Sequence, residues 1–165
     1  MQLGGYRPNA SPRERLPRVT RSGSAAGDPV PRVPRTSPFR GLRDDVYRRP
    51  LATALERLGI GPGWRCVDVG AGGGDVSVAL AEVVGATGRV YAVDIDPIAR
   101  DEVAKVAAAH SQVLAITQAA EDLILPEAVD LAFCRFLLLH VDDPLVVLAR
   151  MATAVRPGGW VVAQE

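Results

Sequence analysis

The stretch Val67-Asp-Val-Gly-Ala-Gly-Gly-Gly-Asp75 runs from apolar residues straight into glycines at positions 70, 72, 73 and 74. An apolar strand, a glycine turn and a following helix bring a nucleotide-like ligand against bare backbone, where peptide N–H groups and a helix N-terminus are exposed. If that reading holds, strands and helices should alternate on both sides of the turn.

They do. Asp75 stands where a helix N-cap is wanted, with Val76, Val78, Ala79, Leu80 and Val83 on a helix that closes at Gly85. Arg89 to Val93 reads as a second strand, and Pro97 opens a helix through Ala109. Val113 to Thr117 is a third strand, Leu131 to Cys134 a fourth, Pro144 to Val155 a helix and Trp160 to Ala163 a fifth strand. Upstream, Val46, Leu51, Leu55 and Leu58 recur near a 3.6 period and predict a helix from Asp44 to Gly59, followed by the Gly61-Pro-Gly63 turn. No hairpin signal interrupts the series. The expected fold is α/β: a Rossmann-like, doubly wound parallel sheet with helices on both faces and a ligand outside the carboxyl ends of the strands.

The formal net charge of +0 conceals an asymmetry. Residues 1–43 carry nine Arg against Glu14 and Asp28, whereas residues 44–165 carry ten basic and seventeen acidic residues. Seven prolines between Pro8 and Pro38 and the lack of periodicity predict a disordered Pro/Arg-rich extension over 1–43, or sequence translated from upstream of the true start. That segment contains no Lys and almost no aromatics, which argues against a nucleic-acid-binding arm. The folded domain is assigned to 44–165. No window reaches the roughly 18 apolar residues of a membrane span and no signal-peptide core precedes the domain, so a cytoplasmic protein is expected. Cys66 and Cys134 lack metal-site spacing and read as small buried hydrophobes near opposite ends of neighbouring strands; no metal site is expected.

The glycines at 70, 72 and 74 follow Gly-x-Gly-x-Gly, with Asp68 two residues ahead. A dinucleotide fingerprint, Gly-x-Gly-x-x-Gly, would need glycine at Asp75. An acidic residue at that helix start also repels a pyrophosphate, which disfavours NAD or FAD. With Val93-Asp94-Ile-Asp96, Ala120-Glu-Asp122, Phe133-Cys-Arg135 and Arg156-Pro-Gly-Gly159 in order, residues 44–165 resemble the class I S-adenosylmethionine-dependent methyltransferases, in particular the small-molecule methyltransferase-domain group.

That resemblance implies S-adenosylmethionine as cofactor, a small-molecule methyl acceptor, and cofactor contacts at Asp68, Gly70, Ala71, Gly72 and Gly74 in the glycine loop. It further implies Asp94 on the ribose hydroxyls, Ile95 on the adenine face, Ala120 and Glu121 at the adenine edge, and Arg135 near the substrate entrance. Asp68 reads equally as a brace for the loop, and Arg135 as a solvent-exposed residue ahead of a helix. Where the family's common pattern has Asp or Asn, this chain has Ala119, so the adenine amino group lacks a side-chain acceptor unless Glu121 or Asp122 replaces it. His140 is the candidate general base, since imidazole exchanges protons near neutral pH; the alternative is that it packs against or caps the helix after Val141-Asp-Asp143.

Trp160-Val-Val-Ala-Gln-Glu165 closes the sequence where the family continues into further strands. The expectation is a domain incomplete at its C-terminus, with the fifth strand an apolar edge through which copies could self-associate. A non-catalytic cofactor-binding fragment and a NAD(P)-dependent oxidoreductase are the alternatives to a methyltransferase.

Overall fold

Residues 50–165 are described by the structure, a computed structural model. The predicted extension over 1–43 and the start of the first helix, with Val46, lie outside the described residues. A helix over 50–57, here α1, begins the described part and buries Leu51 and Leu55, the two apolar positions one helical turn apart.

The sheet is built from β1 (Arg65–Val69), β2 (Arg89–Asp94), β3 (Val113–Thr117), β4 (Val129–Arg135) and β5 (Val155–Gln164). Its order is β3-β2-β1-β4-β5, and every pair is parallel. Between the strands run α2 (Asp75–Val84), α3 (Pro97–Ala109) and α4 (Pro144–Ala154), with one 3-10 turn, Ala120–Asp122, between β3 and β4. From β1 the chain winds outward to β3, then returns to lay β4 on β1's other side. That reversal is the switch point at which doubly wound sheets open a crevice.

Alternation along the strands sorts two cores. Cys66, Val90, Ala92, Leu131 and Phe133 pack with α1, α2 and α3 on one face, and Val67, Val69, Tyr91, Val93, Ala132 and Cys134 pack with Val147 and Met151 of α4 on the other. Both faces of the central strands are therefore covered, which is why β1 reads as a nearly unbroken apolar run. The register Cys66↔Leu131 and Val69↔Cys134 puts the two cysteines three steps apart on opposite faces, and both are free and buried. Burial pushes both thiols up to about 12, so they behave as inert core residues.

Several boundaries differ from the sequence reading, β2, β4 and α4 by one residue at their ends, and three departures matter more. Asp75 is not the cap of α2. Gly74 occupies the N-cap with φ 86°, and Asp75 is the first helical residue, because the chain turns into the helix through a left-handed conformation that glycine adopts readily. β4 begins at Val129, two residues early. β5 runs from Val155 and takes in Arg156-Pro-Gly-Gly159, a segment that local preference would make a turn. Val129 pairs with Val155 while Leu131 pairs with Trp160, so the extra residues of β5 are accommodated as a bulge. Gly159 fits there because a Cβ would stand 2.6 Å from the Asp130 carbonyl oxygen. Among the described residues β5 pairs only with β4, and Trp160 and Val161 are exposed. No helix among the described residues is long and apolar enough to cross a membrane.

Candidate active site

A cleft of about 340 Å³ opens at the carboxyl ends of the strands, a size typical of small-molecule sites. The residues following four strands contribute to it: Gly70 after β1, Asp94 and Ile95 from β2, the Gln118–Glu121 segment after β3, and Phe136, Leu137, His140 and Val141 after β4.

The glycine turn is folded by its own backbone. Gly70 and Ala71 both donate N–H bonds to the Val93 carbonyl, at 2.8 and 3.0 Å, which ties the turn to β2. The three spaced glycines then serve different purposes. At Gly70 (φ 77°) a Cβ would stand 2.8 Å from Leu137 Cδ1, so the loop after β4 packs directly on the turn. At Gly74 a Cβ would press on Val106 of α3, at 3.2 Å. At Gly72 (φ 53°) it would meet nothing nearer than the Gly70 carbonyl oxygen, at 4.0 Å. Only the middle one of these three glycines borders open space.

Asp94 links turn and strand. Its Oδ2 accepts the Gly72 N–H at 2.8 Å and its Oδ1 the Asp96 N–H at 2.9 Å. Each carboxylate oxygen offers about two acceptor positions, so one on each remains. Asp96 in turn caps α3 by accepting the Ile98 N–H at 2.9 Å, which leaves Asp94 out of the capping role.

Asp68 lies beneath the turn, 1% exposed, and accepts the Ser77 hydroxyl at 2.6 Å. This bond joins β1 to the first turn of α2 and goes to a side chain of the helix, not to the backbone of the loop that the bracing reading named. Burial raises its carboxyl to about 6; Ser77 and Arg135 oppose that rise, and Asp75 and Asp94 add to it. Arg135 is not a solvent-exposed side chain: it is 12% exposed, with Nη2 3.7 Å from Asp75 Oδ2 and its guanidinium 5.9 Å from the centre of the Phe136 ring. Asp68 thus feels two further carboxylates, Asp75 and Asp94, and the guanidinium of Arg135, which approaches Asp75.

Of the residues proposed from sequence, the cleft wall takes Gly70, Asp94, Ile95, Ala120, Glu121 and His140. Asp68, Ala71, Gly72, Gly74 and Arg135 stand behind or beside it: Asp68 and Ala71 are buried, Gly74 faces α3, and Arg135 turns toward Asp75. His140 is exposed, and its backbone N–H donates to the Leu137 carbonyl at 2.8 Å. The cap of α4 is Asp143, which accepts from Leu145 and Val146, so His140 has no capping part.

Sequence reasoning passed over Gln118, Phe136, Leu137 and Val141. Phe136 has φ 53°, a conformation uncommon for a side chain of that size, and its N–H donates to the Gln164 carbonyl at 2.9 Å. Leu137 and Leu138 then both donate to Glu165 Oε1 at 3.2 Å. The one available signal was the run Phe136-Leu-Leu-Leu139, too long to continue a strand that must match the five residues of β1.

Residues 67–163 match the family model of the methyltransferase domain. A ubiquinone biosynthesis O-methyltransferase of Xanthomonas campestris pv. campestris is 41% identical over 105 residues, covering 59% of this chain and 41% of the relative. The Burkholderia thailandensis protein of the same name is 38% identical over 107 residues, covering 61% and 43%. The chain therefore spans about two fifths of the length of these relatives. A crystal structure of a SAM-dependent methyltransferase from Aquifex aeolicus superposes with a TM-score of 0.66 at 24% identity, over 74% of this chain and 69% of that one, a likeness of fold. With the family model covering more than half of its length, the chain belongs to the methyltransferase domain family.

Proposed function

We propose that this domain binds S-adenosylmethionine at the carboxyl ends of its strands and transfers the methyl group to a small-molecule acceptor. The observation that carries the reading is Asp94: a carboxylate held by two backbone amides at the cleft wall, with one acceptor position left on each oxygen. Such a group suits a vicinal diol, and a ribose presents one.

Charge supports the same cofactor. Asp68, with Asp75 and Asp94 acting on it and Arg135 opposing them, puts more carboxylate than cation beside the glycine turn, which favours a ligand carrying an ammonium and a sulfonium and disfavours a pyrophosphate. That contrast is what sets the nicotinamide reading aside. Ile95, 70% exposed at the wall, offers an apolar surface for a base, and the Gln118–Glu121 segment offers polar groups for its edge.

When bound, the cofactor supplies a methyl on an already activated leaving group. What remains for the chain is to hold acceptor and methyl in line and keep water out, an effect that supplies roughly 7 kcal/mol or more. Phe136, Leu137 and Val141 furnish the apolar side of such a pocket. The relatives' name supports an oxygen acceptor, and His140 at the mouth is the group we assign to take the hydroxyl proton.

Calorimetric titration with S-adenosylmethionine and S-adenosylhomocysteine, followed by transfer of labelled methyl to a panel of phenols, tests the proposal. Binding with turnover is the expected result. Binding without turnover across the panel would favour a cofactor-binding module, and no binding of either ligand would sink the reading.

A further inference from the structure

We propose that Arg150, on α4 and outside the cleft lining, is a positioning residue that sets the cleft's preference for the base of its ligand; this rests on the cofactor reading above. The wall that would meet the edge of a base is the segment Gln118–Glu121. Ala119 brings only a methyl group to that wall. Discrimination there falls on backbone groups and on Glu121, and such groups select a base only as sharply as the turn carrying them is held in place.

The turn has two kinds of support. From within, Asp122 donates to the Ala119 carbonyl at 3.1 Å, Leu123 donates to the Ala120 carbonyl at 3.3 Å, and Gln118 Oε1 accepts the Ile124 N–H at 3.1 Å. On the strand side, Gln118 N–H reaches the Asp94 carbonyl at 3.0 Å. From across the fold comes Arg150, whose Nε–H donates to the Glu121 carbonyl at 2.9 Å. A charged donor polarises the peptide it binds. That peptide's own N–H belongs to Asp122 and makes the bond that closes the turn on Ala119, so the guanidinium strengthens the closure as well as fixing the carbonyl. Glu121 sits between the two, lining the cleft while its carbonyl is held by Arg150.

Since Arg150 is exposed, replacing it leaves the core intact. Full-length wild type and Arg150→Met are titrated in a calorimeter with S-adenosylhomocysteine and with S-inosylhomocysteine, which replaces the base's amino group by a carbonyl. Wild type should prefer the adenosyl ligand. In Arg150→Met the adenosyl ligand should bind about fivefold more weakly while the inosyl ligand changes less than about twofold, so the preference collapses. Equal weakening of both ligands, or no change in either, would overturn the assignment. If wild type binds neither ligand, the cofactor reading itself fails, and this inference with it.

Discussion

The two ends of the same five strands carry charge in opposite ways. At the amino ends Arg65 Nε meets Glu127 Oε2 at 2.8 Å, Arg156 pairs with Asp130, the Arg65 N–H reaches Asp130 at 2.7 Å and the Tyr91 hydroxyl reaches Glu127 at 2.7 Å. Two cations answer two anions there. At the carboxyl ends Asp68 feels the carboxylates of Asp75 and Asp94 and the guanidinium of Arg135, which stands 3.7 Å from Asp75. The balanced end is complete as folded and serves stability. Among the described residues, the charged groups that act on Asp68 at the other end are two carboxylates and one guanidinium, an imbalance that suits the cationic ligand proposed above.

The sharpest way to break this comparison is Asp94→Ala. Losing the carboxylate removes the acceptor for the Gly72 and Asp96 amides and the proposed ribose contact together. Affinity for S-adenosylhomocysteine should fall at least about a hundredfold, with the far-ultraviolet circular dichroism unchanged. Unaltered affinity would remove Asp94 from the site. Next in size is Gly70→Ala, which places a side chain at φ 77° and 2.8 Å from Leu137 Cδ1. Thermal or urea unfolding should show a loss of about 2 kcal/mol. Adding Leu137→Ala should return the steric part and leave the conformational part, so a double mutant no better than the single one would show that the contact is not the cause.

At the other end Asp130→Asn should lower stability by about 1–2 kcal/mol and leave ligand affinity within experimental error. Burial acting alone would raise the Asp130 carboxyl; the Arg65 amide and the Arg156 guanidinium outweigh it and hold the group below the ordinary 3.8. A depressed folded value means that the contribution is fully present above the ordinary value and is lost as pH falls through the lower one. Unfolding measured from pH 7 to pH 2 should show wild type and variant converging at the acid end. A gap that persists there, or a change in cofactor affinity, would blur the division between the two ends.

The same division marks what could be read from sequence. β1, β3 and α3 are found with the boundaries expected, because each rests on local signals: an apolar run before glycines, a run between turns, Pro97 just inside a helix start. Asp94 at the tip of β2, singled out by the family resemblance, lines the cleft. What escaped is tertiary. Arg156-Pro-Gly-Gly159 joins β5 because β4 and Asp130 hold it there, against its local preference for a turn. Phe136 takes a positive φ because its amide is drawn to Gln164 and the following amides to Glu165, partners 28 and 27 residues further on. The apolar wall those bonds create, Phe136 and Leu137, is marked locally only by the over-long run Phe136-Leu-Leu-Leu139, which does not say that the chain turns there.

Asp68 offers the smallest effect and a test of the charge imbalance itself. Burial first, and the nearby Asp75 and Asp94, raise its carboxyl to about 6 against the pull of Ser77 and Arg135. A raised folded value means that the fold favours the protonated acid, so its contribution to stability declines as pH rises from the ordinary 3.8 to about 6 and stays lost above. Asp68→Asn keeps an acceptor for Ser77 and should abolish that slope. A cationic ligand acts in the reverse direction: its charge favours the carboxylate, so binding near pH 6 should release a proton, and affinity should rise by up to about tenfold between pH 5 and pH 7. Calorimetry of S-adenosylmethionine binding in two buffers of different ionisation enthalpy counts that proton. A heat independent of buffer, or an affinity that falls as pH rises, would mean that the acid excess beside the glycine turn does not face the ligand's charge.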